Sequence, residues 1–140
     1  MRIIIQFVYQ YEGGDFVKNN SIKSLTNVCS KKYFYDGIKY MQKKLEQPVF
    51  IIFSDDVNWC KRNLELPDNT YFEDGTDPIW EKLRLMYSCK NFIISNSTFS
   101  WWAQYLSRND NKIVVAPSRW RNFEMPNDIY EDNWIKINVD

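Results

Sequence analysis

Val49-Phe50-Ile51-Ile52-Phe53-Ser54-Asp55-Asp56 is an unbroken apolar run that ends on a hydroxyl and two carboxylates. A strand with one wet face alternates apolar and polar residues, whereas a strand covered on both faces does not. The run from Val49 to Phe53 therefore reads as a strand buried inside a sheet. Ile3 to Val8, Phe92 to Ile94 and Ile113 to Ala116 have the same short, β-branched character. Strands covered on both faces point to a parallel sheet with helices above and below it.

The segments between these strands have helical spacing. Phe34, Ile38, Met41 and Leu45 recur at intervals of four, three and four behind a capping Ser30, which predicts a helix from about Lys31 to Glu46. A short helix over Val57 to Leu64 follows the two carboxylates, and the polar stretch Pro67 to Thr76 reads as a surface loop. Asp77-Pro78 has the form of an N-cap and a first helical residue, with Ile79, Leu83 and Met86 forming one apolar stripe that ends near Cys89. Ser97 or Thr98 caps a further helix in which Trp102, Tyr105 and Leu106 share a face, with Arg108-Asn109 at its C-terminal end. That spacing directs Trp102 at the sheet as a core residue. Strand and helix alternate throughout, so the expected architecture is α/β with right-handed crossovers, and ligands belong at the carboxyl ends of the strands.

Composition narrows the chemistry. A chain of 140 residues, 44% hydrophobic and 26% charged, is the size of one domain able to stand on its own core. Eighteen basic residues balance eighteen acidic ones, so there is no broad positive field for nucleic acid. Histidine is absent, which removes histidine-activated nucleophiles and imidazole-bound zinc. Cys29, Cys60 and Cys89 are scattered and odd in number, as free thiols in a reducing compartment would be. The opening apolar run is too short to span a membrane and lacks a signal-peptide cleavage site, which places the protein in the cytoplasm.

Two strand ends carry the candidate chemistry. Ser54, Asp55 and Asp56 follow a buried strand, where a carboxylate can accept from ribose hydroxyls or base N–H groups, or can cap the next helix. Ser95-Asn96-Ser97-Thr98-Phe99-Ser100-Trp101-Trp102 passes from strand to helix through a turn rich in hydroxyls. The N–H groups and dipole of a helix start favour an anion, and the hydroxyls could add donors to it or serve only as caps. No GxxxxGK[ST] or GxGxxG is present, so P-loop and dinucleotide fingerprints fail. A phosphoacceptor receiver domain would use the two aspartates as well, but it calls for a lysine directly after the last strand, where Pro117-Ser118-Arg119 stands.

Taken in order, Phe53-Ser54-Asp55-Asp56 with Trp59, Leu85-Met86-Tyr87-Ser88-Cys89-Lys90, Asn96-Ser97-Thr98-Phe99-Ser100-Trp101-Trp102, and Lys112 to Pro117 with Arg119-Trp120 resemble glycosyltransferase family 11, the α-1,2-fucosyltransferases. The resemblance runs from about Gly14 to Ile137. It implies a Rossmann-like parallel sheet with helices on both faces, one half of a GT-B type fold, spanning 1–140 as a single GDP-fucose-binding-like domain without the N-terminal acceptor half. It implies inverting transfer of fucose from GDP-fucose to the 2-hydroxyl of a galactoside acceptor glycan, with no cofactor or metal. Donor binding then falls to Asp15, Ser54, Asp55, Asp56, Asn96, Ser97, Thr98 and Ser100. It leaves room for a peripheral membrane association and names no catalytic base.

The family's His-x-Arg-Arg-x-Asp motif departs here. Gln10, Glu12 and Gly13 stand where the histidine and both arginines belong, and of the motif only Asp15 remains. Lys82 is a second departure, at a place where the family commonly has an acidic residue. An anion at position 12 opposes a diphosphate, so the chain is expected to be inactive alone, as a truncated fragment, a disrupted reading frame or a nucleotide-binding remnant or subunit.

Overall fold

A computed structural model of the chain describes the backbone of residues 2–7 and, in full, residues 28–73, 76–123 and 128–139. β1 (Arg2–Phe7), β2 (Val49–Ser54), β3 (Thr70–Phe72), β4 (Asn91–Ile93), β5 (Val114–Pro117) and β6 (Ile135–Ile137) form one sheet in the order β3-β2-β1-β4-β5-β6. Every neighbouring pair is parallel. The chain builds outward from β1 to β3, then returns to β1's other side and continues to β6, so the winding reverses beside β1. In register, Ile4 lies between Ile51 and Phe92. Crossovers between parallel strands are supplied by α1 (Lys31–Lys44), α2 (Val57–Asn63), α3 (Ile79–Tyr87) and α4 (Thr98–Leu106). This is the Rossmann-like α/β architecture expected from the buried strands.

The period of two along each strand divides the core between the sheet's faces. Phe50, Ile52, Ile93 and Val115 pack with Tyr33, Phe34, Ile38, Met41 and Cys60 under α1 and α2. Phe53, Phe92, Ile94, Val114 and Ala116 pack with Met86, Cys89 and Ala103 under α3 and α4. Ser30 caps α1 as the spacing predicts, accepting from the Tyr33 N–H at 3.2 Å. The buried Tyr33 hydroxyl donates to the Ile94 carbonyl at 2.5 Å, with the Val115 carbonyl 3.3 Å away, and so ties α1 to both strands. At Gly37 a Cβ would stand 3.0 Å from Ile93 Cγ2, so glycine is what lets α1 lie this close to β4.

Several expectations are corrected. The stretch Pro67 to Thr76 contains the edge strand β3, held by tertiary pairing to β2 although its three residues are too few to show a period. β6 carries no long apolar run either and forms by pairing with β5. Asp77 does not cap α3: the N-cap is Pro78, with no side-chain hydrogen bond, and Ile79 is exposed while Met86 alone of the stripe is fully buried. Trp102 is not a core residue. It is 49% exposed, with Tyr105 and Leu106 also at the surface. α4 instead turns Ser100, Ala103 and Gln104 inward, because small side chains let it sit close to the sheet where indole rings would not fit. Trp101 lies at the margin and donates from its indole N–H to the Ile129 carbonyl at 2.8 Å.

Gln104 has both side-chain amide atoms buried without a hydrogen-bond partner. A buried unsatisfied polar group costs about 1–3 kcal/mol. Gln104→Met keeps the length and removes the amide, so it should raise unfolding free energy in urea by about that amount. A lower midpoint would show that the amide is satisfied in solution.

Burial also sets the response to alkali. It pushes the Tyr33 hydroxyl well above its ordinary value of 10.0 and the Cys29 thiol from 9.0 to about 12. The unfolded chain releases these protons first. Their stabilising effect is therefore complete below about pH 9 and falls away as the pH climbs toward 12, by about 1.4 kcal/mol per pH unit for the buried Tyr33 alone. Without histidine no side chain has its ordinary pKa between pH 6 and 8, so the melting temperature should be nearly flat there and drop above pH 10. A melting curve that held to pH 11.5 would contradict this.

Candidate nucleotide site

Parallel pairing puts the carboxyl ends of β2, β1 and β4 on one rim, so the turns after Ser54 and Ile93 open the same way, as expected. β1 lies between them and separates the two turns by two strand spacings, about 10 Å. The winding reverses beside β1, with α1 and α2 packed on one face of the sheet and α3 and α4 on the other, which in open α/β sheets is the address of a ligand.

The turn after β2 divides its labour. The buried Ser54 hydroxyl accepts from the Asp56 N–H at 3.0 Å, and Asp56 Oδ1 accepts from the Trp59 N–H at 2.9 Å as the N-cap of α2. Both side chains thus shape the turn. Asp55, which the sequence could not separate from Asp56, is exposed and lines a cavity.

In the turn after β4, the Ser95 and Ser100 hydroxyls are buried and lie 3.2 Å apart. Ser97 caps α4, accepting from the Phe99 N–H at 3.2 Å, and Thr98 is exposed at the helix start. Asn96 donates from Nδ2 to the Trp120 carbonyl at 3.0 Å and so ties this turn to the loop after β5. Arg119 and Arg121 flank Trp120, so the same contact brings a basic segment toward the α4 start. The segment before α1 also meets this turn, for the Asn96 backbone hydrogen bonds to Cys29 and partly opposes the rise in its pKa. Cys29, Cys60 and Cys89 are all free thiols.

Of the eight expected site residues, Asp55, Asn96, Ser97 and Thr98 come together on the rim. Ser54, Asp56 and Ser100 hold turns from within, and Asp15, with Gln10, Glu12 and Gly13, lies outside the described residues. The structure adds residues that the sequence reading missed. A cavity of about 220 Å³ beside Asp55 and Ser54 is lined also by Phe53, Glu73, Ile79, Lys82, Met86 and Phe99. Glu73 follows the edge strand β3, and its side chain is buried with Oε2 3.7 Å from Lys82 Nζ. The signal for Glu73 was a carboxylate directly after a strand, hidden because β3 reads as a loop.

Chemically, the rim offers a helix start suited to an anion and, next to it, carboxylates around an apolar slot. No helix among the described residues is long and apolar enough to cross a membrane. No solved structure matches the chain. Among known proteins it is 33% identical over 131 residues to an Escherichia coli alpha-1,2-colitosyltransferase, covering 89% of this chain and 44% of that protein. It is 32% identical over 126 residues to the O-antigen biosynthesis glycosyltransferase WbnK of the same species, covering 42% of it. The human galactoside alpha-(1,2)-fucosyltransferase 1 is 27% identical over 120 residues, a third of its length (33%). The chain thus spans less than half of each of these relatives. Residues 11–138, nearly the whole chain, match the sequence profile of glycosyl transferase family 11, and with the parallel sheet and its hydroxyl-rich turn they show that the chain belongs to that family.

Proposed function

We propose that this chain forms the donor-binding half of an inverting α-1,2-glycosyltransferase that takes GDP-fucose, with a galactoside 2-hydroxyl as acceptor. Colitose, the sugar named in one bacterial relative, is the alternative glycosyl group. The observation that carries the reading is the placement of Asp55 and the Asn96–Thr98 helix start on one rim, beside the point where the winding reverses. In this reading the diphosphate lies at the α4 start, where N–H groups and the Thr98 hydroxyl would meet the charge that grows on the β-phosphate as the glycosyl bond breaks. Asp55 accepts from the ribose hydroxyls. No metal takes part. A second reading, nucleotide binding without turnover, is favoured by Gln10, Glu12 and Gly13 in place of the family's histidine and arginines.

Calorimetric titration of the protein with GDP tests the site. Binding is expected, weakened about 10- to 100-fold in Asp55→Asn with little change in melting temperature, the value of one hydrogen bond to a charged group. Ser97→Ala reports differently, because loss of its cap should lower stability by about 1 kcal/mol. Absence of binding to any nucleoside diphosphate would refute the proposal.

A further inference from the structure

We infer that Glu73, steadied by Lys82, reads the base of the nucleotide and selects guanine. This rests on the nucleotide-binding reading above and adds the residue that gives it base specificity. The cavity of about 220 Å³ next to Asp55 is smaller than the roughly 300–1,000 Å³ of a pocket for a whole drug-sized ligand. It suits one flat ring system, with the sugar and phosphates outside. Four of its eight lining residues, Phe53, Ile79, Met86 and Phe99, are apolar and supply the kind of surface against which a flat ring packs.

Polar groups then decide which purine. The Glu73 carboxylate lines the same slot, is only 5% exposed, and has its Oε2 3.7 Å from Lys82 Nζ. A carboxylate has about four acceptor directions and no donor, so a cation on one side still leaves it able to accept two parallel N–H groups. Guanine presents such a pair on one edge, N1–H beside the 2-amino group. Adenine puts the N1 lone pair next to its amino group, and a carboxylate repels that acceptor. Lys82, 3.7 Å away, orients the buried carboxylate, which makes it a positioning residue. Phe99 belongs both to this slot and to the first turn of α4, so a base held here leaves its phosphates directed to the Asn96–Thr98 turn.

The test is a calorimetric panel of GDP, IDP, which lacks the 2-amino group, and ADP against the unmodified protein and Glu73→Gln. The unmodified protein should prefer GDP to IDP and to ADP by about 10- to 100-fold, the worth of a bidentate contact to a base. Glu73→Gln should erase that preference and raise ADP affinity, because the amide removes the repulsion of adenine N1 and can donate to it. If Glu73→Gln does not fold, Glu73→Asp keeps the charge and the Lys82 pair but withdraws the carboxylate by one methylene, and should lower the GDP to IDP ratio. Equal binding of all three nucleotides, or a Glu73 variant that folds and retains the preference, overturns the inference while leaving the nucleotide site standing. No binding of any of the three overturns the proposed function itself.

Discussion

Replacing Gln10, Glu12 and Gly13 with His, Arg and Arg should tighten GDP binding by about 100-fold or more. A unit charge roughly 6 Å from a phosphate contributes about 3 kcal/mol at an effective dielectric near 20, and the change at position 12 alone swings the local charge by two units. The three residues occupy the place of the family's His-x-Arg-Arg, and restoring the cations replaces a repulsion with an attraction. The unmodified protein, incubated with GDP-fucose and lactose, should give no 2'-fucosyllactose above a heat-killed control, since the chain lacks the family's histidine and arginines that would answer the charge growing on the leaving diphosphate. The restored variant should bind better without transferring, because a cation at the diphosphate does not by itself position an acceptor hydroxyl for attack. Transfer by the unmodified protein would show that Arg119, Arg121 or another cation already serves the diphosphate.

Phe92→Ala and Trp102→Ala should differ widely in cost. Phe92 is 1% exposed in β4, within the cluster under α3 and α4, and its truncation should destabilise the fold by about 3–5 kcal/mol through lost transfer energy and a residual cavity. That is a large part of the 5–15 kcal/mol typical of a domain, and partial unfolding at 37 °C is expected. Trp102 is half exposed and meets Trp101 at 5.0 Å and Tyr105 at 5.6 Å, both edge-on, so its loss should cost about 1–2 kcal/mol, the scale of two exposed aromatic pairs. Urea unfolding of both variants checks the contrast. A cost for Trp102→Ala equal to that of Phe92→Ala would mean that α4 turns its indole inward after all.

The difference between these two aromatics marks what local pattern can and cannot say. Strand runs such as Val49 to Phe53 declare themselves, because burial on both faces demands unbroken apolar side chains whatever the neighbours are. From those runs and the Ser30 cap, the parallel α/β sheet and α1 follow by local chemistry alone. The hydroxyl-rich turn at Asn96 to Ser100 and the carboxylates at Asp55 and Asp56 were legible for the same reason, as polar groups placed directly after buried strands. Direction was not legible. Helical spacing defines a face on α4, but which face meets the sheet depends on the room available, and the narrow gap admits Ser100 and Ala103 while it turns Trp102 out. Likewise only the folded turn spends Asp56 on the Trp59 N–H and leaves Asp55 at the cavity. β3 has three residues, too few for a period, and exists through its pairing with β2. Glu73 gains its burial and its Lys82 partner from that pairing, because a contact between a strand end and a helix nine residues later is made by tertiary packing and leaves no local mark in the chain.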